Sequence, residues 1–191
     1  MNKSIIALIV IAGVLLHTII WSVFTRNSMV SSYEEVQNKA AAIETQLQRR
    51  SDLIPNYVAT VKGYATHEEE VYSAIADARA KLSGAISKED ISEVSQANSE
   101  LEATLSRLLV LVENYPELKA NENFIALQDE LAGTENRIAR AREEYNDTVK
   151  AYNKKIKSFP NSIVANMGGF EEGVYFEATE QAKTAPTVDF S

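Results

Sequence analysis

The sequence predicts an all-α protein in which one N-terminal transmembrane helix precedes an antiparallel bundle of long helices and a partly packed C-terminal tail. Three observations predict this class. An uncharged apolar run covers residues 4–24, apolar residues then recur at alternating spacings of three and four, and Gly and Pro are scarce, at 7 and 4 of 191 residues. The predicted domains are the anchor at 1–26, the helical bundle at 27–160 and the tail packing on the bundle at 161–191.

Composition excludes several classes of function. The formal net charge of −8 argues against nucleic-acid binding, which needs a basic face to neutralise phosphates. The chain has no cysteine, so it forms no disulfide, no zinc–thiolate site and no thiol nucleophile.

The apolar run SIIALIVIAGVLLHTIIWSVF is long enough to cross a hydrocarbon core of ~30 Å at 1.5 Å per residue. A cleaved signal peptide is the alternative, but its apolar region is shorter and ends at a small-residue cleavage site, which TRNSMV is not. We therefore predict an uncleaved single-pass anchor in the cell membrane. The positive charges on its two flanks nearly balance, with Lys3 and the N-terminal amine facing Arg26 and Lys39, and they slightly favour a soluble domain on the outer face.

The first long helix after the membrane is predicted from a stripe at heptad spacing that begins at Met29 and runs to Leu82. Pro55 lies within it and cannot donate a backbone hydrogen bond, so a kink is expected there. Thr66 followed by Glu69 offers a helix restart, and a bend within residues 55–66 follows. Gly84 is expected to close the helix.

Two further helices follow at the same spacing. The first opens at SKED, where Ser87 and Asp90 form a cap-like pair, and Pro116 stops it. The second opens after Asn121, which can cap it, and ends at Pro160. A disordered tail would hold fewer aromatic residues than this one, so part of it is expected to pack back through Phe170, Tyr175, Phe176, Val188 and Phe190.

These segments together resemble the LemA family over essentially the whole chain. The resemblance rests on RRSDLIPNYVATVKGYATHE, on ENYPELKANENFIALQDELAGTENRIARAREEYNDTVKAYNKKIKSFP and on the C-terminal GF, YFEA and VDF motifs. Two departures lie near the membrane: Arg26-Asn27 replaces an aromatic-Asn pair, and alanine replaces a Trp in NKAAAIETQL. The resemblance implies a membrane-anchored helical bundle without an agreed biochemical activity. It also implies an N-terminus outside the cell, opposite to the charge comparison, so the orientation stays open.

The usual parts of a catalytic or metal site are missing from the sequence. His67 lies in HEEE, which lacks the second histidine of HExxH, and successive helix residues such as Glu68, Glu69 and Glu70 cannot all face one ion. We therefore predict no catalytic residue, no metal and no cofactor. Acidic pairs could still perform acid–base chemistry, which leaves an envelope enzyme with a carboxylate-based site as the alternative.

Four polar residues interrupt the apolar stripes, at Arg50, Glu68, Asn98 and Thr134. They could form a buried layer that recognises a ligand, or they could fix helix register and partner choice, which we favour. A buried arginine needs a carboxylate, and Glu135 is the first choice because it adjoins the stripe of the third helix.

Helix lengths predict self-association. A first helix of residues 29–84 would be about 84 Å long, and the second, at about 42 Å, could cover only half of it. The membrane-proximal stripe would then have no intrachain partner and would pair with a second copy. Its residues are Met29, Tyr33, Val36, Ile43 and Leu47. Two alternatives would also bury this stripe: the C-terminal segment, or a fold-back at residues 63–66 that shortens the first helix.

The predicted function is a non-enzymatic, membrane-tethered interaction or scaffold protein, acting as a homo-oligomer or on other proteins.

Overall fold

The computed structural model describes residues 2–177. Its helices are α1 (Lys3–Lys62), α2 (Glu69–Ile86), α3 (Ile91–Val112), α4 (Pro116–Lys119), α5 (Glu122–Lys157) and α6 (Asn161–Gly168). No strand occurs within residues 2–177, so the predicted all-α class is confirmed. Val188 and Phe190 lie outside the described residues, and their predicted packing stays a prediction.

The N-terminal apolar run forms the first part of α1. Its side chains are exposed, with Leu16 at 60% and Phe24 at 71%. By length and composition, α1 is the one helix in the described part of the chain that could cross a membrane. The same helix continues to Lys62 and passes through Pro55, whose ring is exposed. Pro55 therefore does not end the helix.

The chain breaks where the sequence pattern predicts a continuous stripe. The α1 helix ends at Lys62 and α2 begins at Glu69, so residues 29–84 are not one helix. The break that the sequence offered as the alternative, at residues 63–66, lies within this connection. Tyr72, in the first turn of α2, donates its hydroxyl proton to the carbonyl oxygen of Ala65 at 2.5 Å, which ties the connection to α2. After this break α2 packs along α3, which buries Ile75 and Leu82 of α2 and Leu101 and Leu108 of α3.

Two predicted features at the ends of α2 are wrong. Thr66 does not cap this helix; Glu68 holds the capping position and makes no side-chain capping bond. The helix also passes Gly84 and ends at Ile86, because Gly84 has no αL backbone and the helix bonds continue through it.

Asp90 and Asn121 cap their helices as predicted. Asp90 accepts from the backbone N–H groups of Ser92 and Glu93, at 2.9 and 3.2 Å. Asn121 accepts from the backbone N–H of Phe124 at 3.1 Å. Ser87, in contrast, belongs to the end of α2 and donates to the carbonyl of Ser83.

The described chain divides into two compact units. The first, unit 1, contains residues 2–39 and 147–173, and unit 2 contains residues 40–146 and 174–177. The core of unit 1 includes Tyr152, Ile156 and Val164. The core of unit 2 is larger, and its largest buried side chains include Ile54, Tyr57, Ile75, Leu82, Leu101, Leu108, Leu118 and Phe124.

The membrane-proximal stripe is covered within the single chain. Met29, Ile43 and Leu47 are fully buried and Val36 is 5% exposed, whereas Tyr33 is 44% exposed. The expectation of a bare stripe is therefore wrong at four of its five positions. The break after Lys62 is the physical reason, because a shorter first helix needs less cover than the one used in the length argument. In unit 1, the Tyr33 and Tyr152 rings lie 5.9 Å apart, so α5 helps to line this part of α1.

Candidate functional site

A buried arginine organises the polar interior of unit 2. The Arg50 side chain is only 7% exposed, and its Nη1 lies 2.8 Å from Glu135 Oε2 and 3.4 Å from Glu102 Oε1. Nη1 also donates to Asn98 Oδ1 at 3.3 Å. Arg50 thus joins α1 to α3 and α5, and its partner on α5 is the carboxylate chosen from the sequence.

Asn98 and Arg142 complete this ion-pair cluster, which we define as Arg50, Asn98, Glu102, Glu135 and Arg142. Asn98 is fully buried and donates Nδ2 to Glu102 Oε1 at 2.8 Å, and Arg142 Nη2 lies 2.8 Å from the same oxygen. The charges of the two arginines and the two glutamates therefore balance, and each of these side chains lies close to one of opposite charge. Buried charges are tolerated only with such pairing.

Thr134 belongs to a separate network, whose charged members are more exposed. Thr134 itself is fully buried, donates its hydroxyl proton to the Glu130 carbonyl at 2.8 Å and accepts a hydrogen bond from Arg137 at 2.9 Å. The Glu130 carboxylate pairs with Arg49 at 2.6 Å and with Arg137 at 3.2 Å. The hydrogen bond from Arg49 is the main cause that holds the pKa of Glu130 below its ordinary value.

A cavity of about 360 Å³ adjoins the ion-pair cluster. Apolar and polar side chains both line it, from Arg50, Tyr57, Glu102, Leu105, Ser106, Leu109, Gln128, Leu131, Ala132 and Glu135. The Tyr57 ring stacks on Phe124 at 5.1 Å, and its buried hydroxyl has no hydrogen-bond partner in the described structure. Burial raises the pKa of Tyr57 to about 12, so this hydroxyl stays protonated under ordinary conditions.

Replacing Tyr57 with phenylalanine should raise the free energy of unfolding by about 1 kcal/mol at pH 8, because it removes a buried hydroxyl without a partner.

The wild-type chain should also lose stability as the pH rises from 10 to 12. In that window the unfolded tyrosine releases its proton while folded Tyr57, with its pKa of about 12, keeps it. Urea unfolding at pH 8, 10 and 11.5 measures both effects. A Tyr57→Phe chain with the same pH dependence as wild type would contradict the assignment.

The predicted polar positions separate into different places. Arg50, Asn98 and Glu135 meet in one cluster, Thr134 lies in the second network, and Glu68 is only half-buried at the start of α2. Glu68 is therefore not part of a buried polar layer, because the helix on which it was placed ends six residues earlier.

Two members of the ion-pair cluster, Glu102 and Arg142, were not predicted from the sequence. Glu102 lies four residues after Asn98 on α3, so the helical repeat carries a signal for it. Arg142 lies 40 residues after Glu102 in the chain and has no such signal.

The residues after α6 form a non-helical segment. Polar side chains bind this segment through hydrogen bonds to its backbone. In unit 1, Asn153 donates to the Gly173 carbonyl at 2.9 Å and accepts from the Gly173 N–H at 2.8 Å, and Tyr152 donates to the Glu171 carbonyl. A Cβ on Gly173 would lie 3.3 Å from Val149 Cγ1, so this backbone approaches α5 closely.

The same two-bond pattern recurs in unit 2. Asn146 donates to the Phe176 carbonyl at 3.0 Å and accepts from its N–H at 2.9 Å. Tyr145 donates to the Val174 carbonyl at 2.7 Å. Phe176 is 3% exposed, whereas Tyr175 is 45% exposed, so the part of the tail that is buried here includes Phe176 and not Tyr175.

These features define an all-α protein with one candidate membrane span, a buried ion-pair cluster and a backbone-bound C-terminal segment. No group of three or more His, Cys, Asp or Glu residues that could hold a metal ion occurs within residues 2–177. The LemA family model matches residues 39–190, and the chain belongs to the LemA family.

Several curated proteins are similar to this chain. Magnetosome protein MamQ of Magnetospirillum gryphiswaldense is 28% identical over 173 residues, which cover 78% of this chain and 64% of that protein. Protein LemA of Metamycoplasma hominis is 27% identical over 157 residues, which cover 81% of this chain and 70% of that protein. The chain thus spans 64% of the length of the MamQ relative. The candidate span in α1 suggests a membrane location.

Proposed function

We propose that this LemA-family chain is a non-enzymatic, single-pass membrane protein whose helices form an antiparallel bundle that holds other proteins at the membrane surface. One observation carries the proposal: α1 is a single helix that contains both the exposed apolar run and Arg50 of the buried ion-pair cluster. The element that would sit in the membrane is therefore also part of the folded core. Short connections between α2, α3 and α5 favour antiparallel neighbours.

The composition of the ion-pair cluster supports a structural role rather than catalysis. A general acid or base must be free to exchange a proton with a substrate. Glu102 and Glu135 both pair with Arg50, and Arg142 also pairs with Glu102, so both carboxylates already have partners within the chain. Such a cluster fixes the register of three helices.

The scaffold proposal is tested by purifying the full chain from membranes in mild detergent, weighing it by mass photometry and identifying the proteins that co-purify. Val110, on α3, is 70% exposed and is a candidate contact residue. We expect a reproducible protein partner whose recovery falls with Val110→Asp. The control is Gln96→Asp, an exposed polar position on the same helix. A chain that is recovered alone under cross-linking conditions would contradict the proposal.

We propose that self-association, which the sequence predicts through the membrane-proximal helix, does not use the four buried positions of the predicted stripe. Tyr33 and Val30 are 44% and 38% exposed and lie three residues apart beside the apolar run, whereas Leu47 is fully buried. We propose that any homo-oligomer forms through Val30, Tyr33 and the span. In this chain without native cysteine, Tyr33→Cys should cross-link between copies under oxidation and Leu47→Cys should not.

We further propose that the helical domain lies on the outer face of the membrane, the orientation that the flanking charges slightly favour. Lys119 is exposed on α4 and provides a labelling position. A Lys119→Cys chain in intact cells should react with a membrane-impermeant maleimide to the same extent before and after permeabilisation. Labelling that requires permeabilisation would place the domain inside.

An envelope enzyme with a carboxylate-based site is the second candidate. The cavity of about 360 Å³ favours it, because Glu102 and Glu135 line the same space as Tyr57 and Gln128. Glu135 is the more accessible carboxylate, with 43% of its side chain exposed. Conversion of a substrate that stops in Glu135→Gln, while the folded chain keeps its melting temperature, would favour the enzyme over the scaffold.

A further inference from the structure

Residues 174–177 are held in unit 2 by contacts that a second polypeptide could make equally well. Four bonds join this segment to side chains of α3 and α5. Tyr145 donates to the Val174 carbonyl, Asn146 both donates to and accepts from Phe176, and Ser95 donates to the Glu177 carbonyl at 3.4 Å. Every one of these bonds goes to a backbone group, so none depends on the side chains of the segment.

One side chain of the segment provides selectivity. Phe176 is buried, and the Arg142 guanidinium lies over its ring at 5.1 Å from the centroid. Such a contact attracts the cation to the face of an aromatic ring. Val174 and Tyr175 are 55% and 45% exposed and contribute little to this recognition. The surface thus binds a non-helical backbone with an aromatic residue at one position.

The two-bond pattern between an asparagine side chain and the backbone occurs at a second position. In unit 1, Asn153 makes the same donor and acceptor pair with Gly173, seven residues further along α5. A side-chain amide that satisfies both the N–H and the C=O of one residue acts as the edge of a neighbouring strand would. Binding through the backbone of an extended segment is a common mode of peptide recognition.

We propose that the surface formed by Ser95, Arg142, Tyr145 and Asn146 is a peptide-recognition site for an extended segment of another protein with an aromatic residue at the position of Phe176. In the isolated chain, its own residues 174–177 occupy the site. The proposal deepens the proposed function by naming the chemistry of a partner. A tethered segment competes at an effective concentration of about 1 mM, so an incoming segment must bind more tightly or be present locally at high concentration.

The test uses the full chain in mild detergent with Phe176→Ala, which empties the aromatic position. The probe is a fluorescein-labelled peptide of residues 171–177, EEGVYFE, and fluorescence anisotropy reports its binding. We expect saturable binding to the Phe176→Ala chain and at least tenfold weaker binding to wild type, whose own segment competes. The same peptide with alanine in place of phenylalanine should bind at least tenfold more weakly.

A second substitution in the Phe176→Ala chain tests whether peptide binding depends on Asn146 or on α5 in general. Adding Asn146→Ala should weaken peptide binding at least tenfold, whereas adding Asn136→Ala, an exposed asparagine on the same helix, should not change it. If Phe176→Ala lowers the helical circular dichroism signal, Phe176→Leu replaces it, because leucine keeps the position apolar.

A folded chain that binds neither peptide, or both equally, would refute the site. The proposed function has a separate readout, since a protein partner recovered in the purification would still support the scaffold.

Discussion

Replacing Arg50 with alanine is expected to lower the free energy of unfolding by about 3 kcal/mol, because the change removes charge-assisted hydrogen bonds from the interior. Glu135 loses this cation, whereas Glu102 keeps Arg142. Arg50 has 7% of its side chain exposed and contacts both carboxylates and Asn98. For a chain of this size the melting temperature should fall by roughly 10 °C. Thermal unfolding in mild detergent, followed by circular dichroism at 222 nm, measures the change.

The neighbouring arginine is a matched control. Arg49 has 56% of its side chain exposed and pairs with Glu130, which is 38% exposed. Exposed ion pairs contribute at most about 1 kcal/mol, so Arg49→Ala should leave the melting temperature nearly unchanged. Equal effects of the two substitutions would show that the cluster around Arg50 is solvated. A chain in which Arg50→Ala melts within a degree of wild type would contradict its burial directly.

Replacing Phe124 with alanine should also destabilise the chain by about 3–5 kcal/mol, since truncating a buried aromatic side chain removes its contacts and leaves a cavity. Phe124 is 1% exposed and stacks on Tyr57, so the change would also enlarge the cavity beside the ion-pair cluster. Chemical unfolding with guanidinium chloride measures the loss as a shift in midpoint.

Ile125 provides the comparison for Phe124 because it follows directly on α5 and is 44% exposed. Ile125→Ala should cost well under 1 kcal/mol, as surface substitutions usually do. If the two alanine variants unfold at the same midpoint, α5 must be rotated relative to the present structure, and the lining of the cavity would change with it.

Much of the buried face of each helix could be predicted from spacing alone. Val94, Leu101 and Leu108 on α3 are buried as the three- and four-residue spacing requires. The stripe predicted from Met29 to Leu82 fails at Tyr64, which is 39% exposed between α1 and α2. Periodicity describes a helix only while the helix continues.

The two polar sites differ in how far the sequence could reveal them. The Arg50–Glu135 contact could be predicted because a charge on an apolar stripe requires an opposite charge, and Glu135 lies next to the stripe of another helix. The peptide-recognition site could not, since Asn146 looks like any polar residue on a helix surface. Its role follows from the backbone groups of Phe176, which are thirty residues away in the chain.

The sequence by itself determined the helical class, the candidate membrane span, the caps at Asp90 and Asn121 and the membership that its motifs indicate, because composition, local hydrogen bonds and short spacings set these features. Only the tertiary structure decided that the first stripe breaks after Lys62, that Met29 and Leu47 are covered within one chain, and that residues 174–177 are bound by their backbone. The reason is physical: a heptad stripe states that a face must be buried but not which surface buries it, and that choice depends on how much apolar area each packing removes from water.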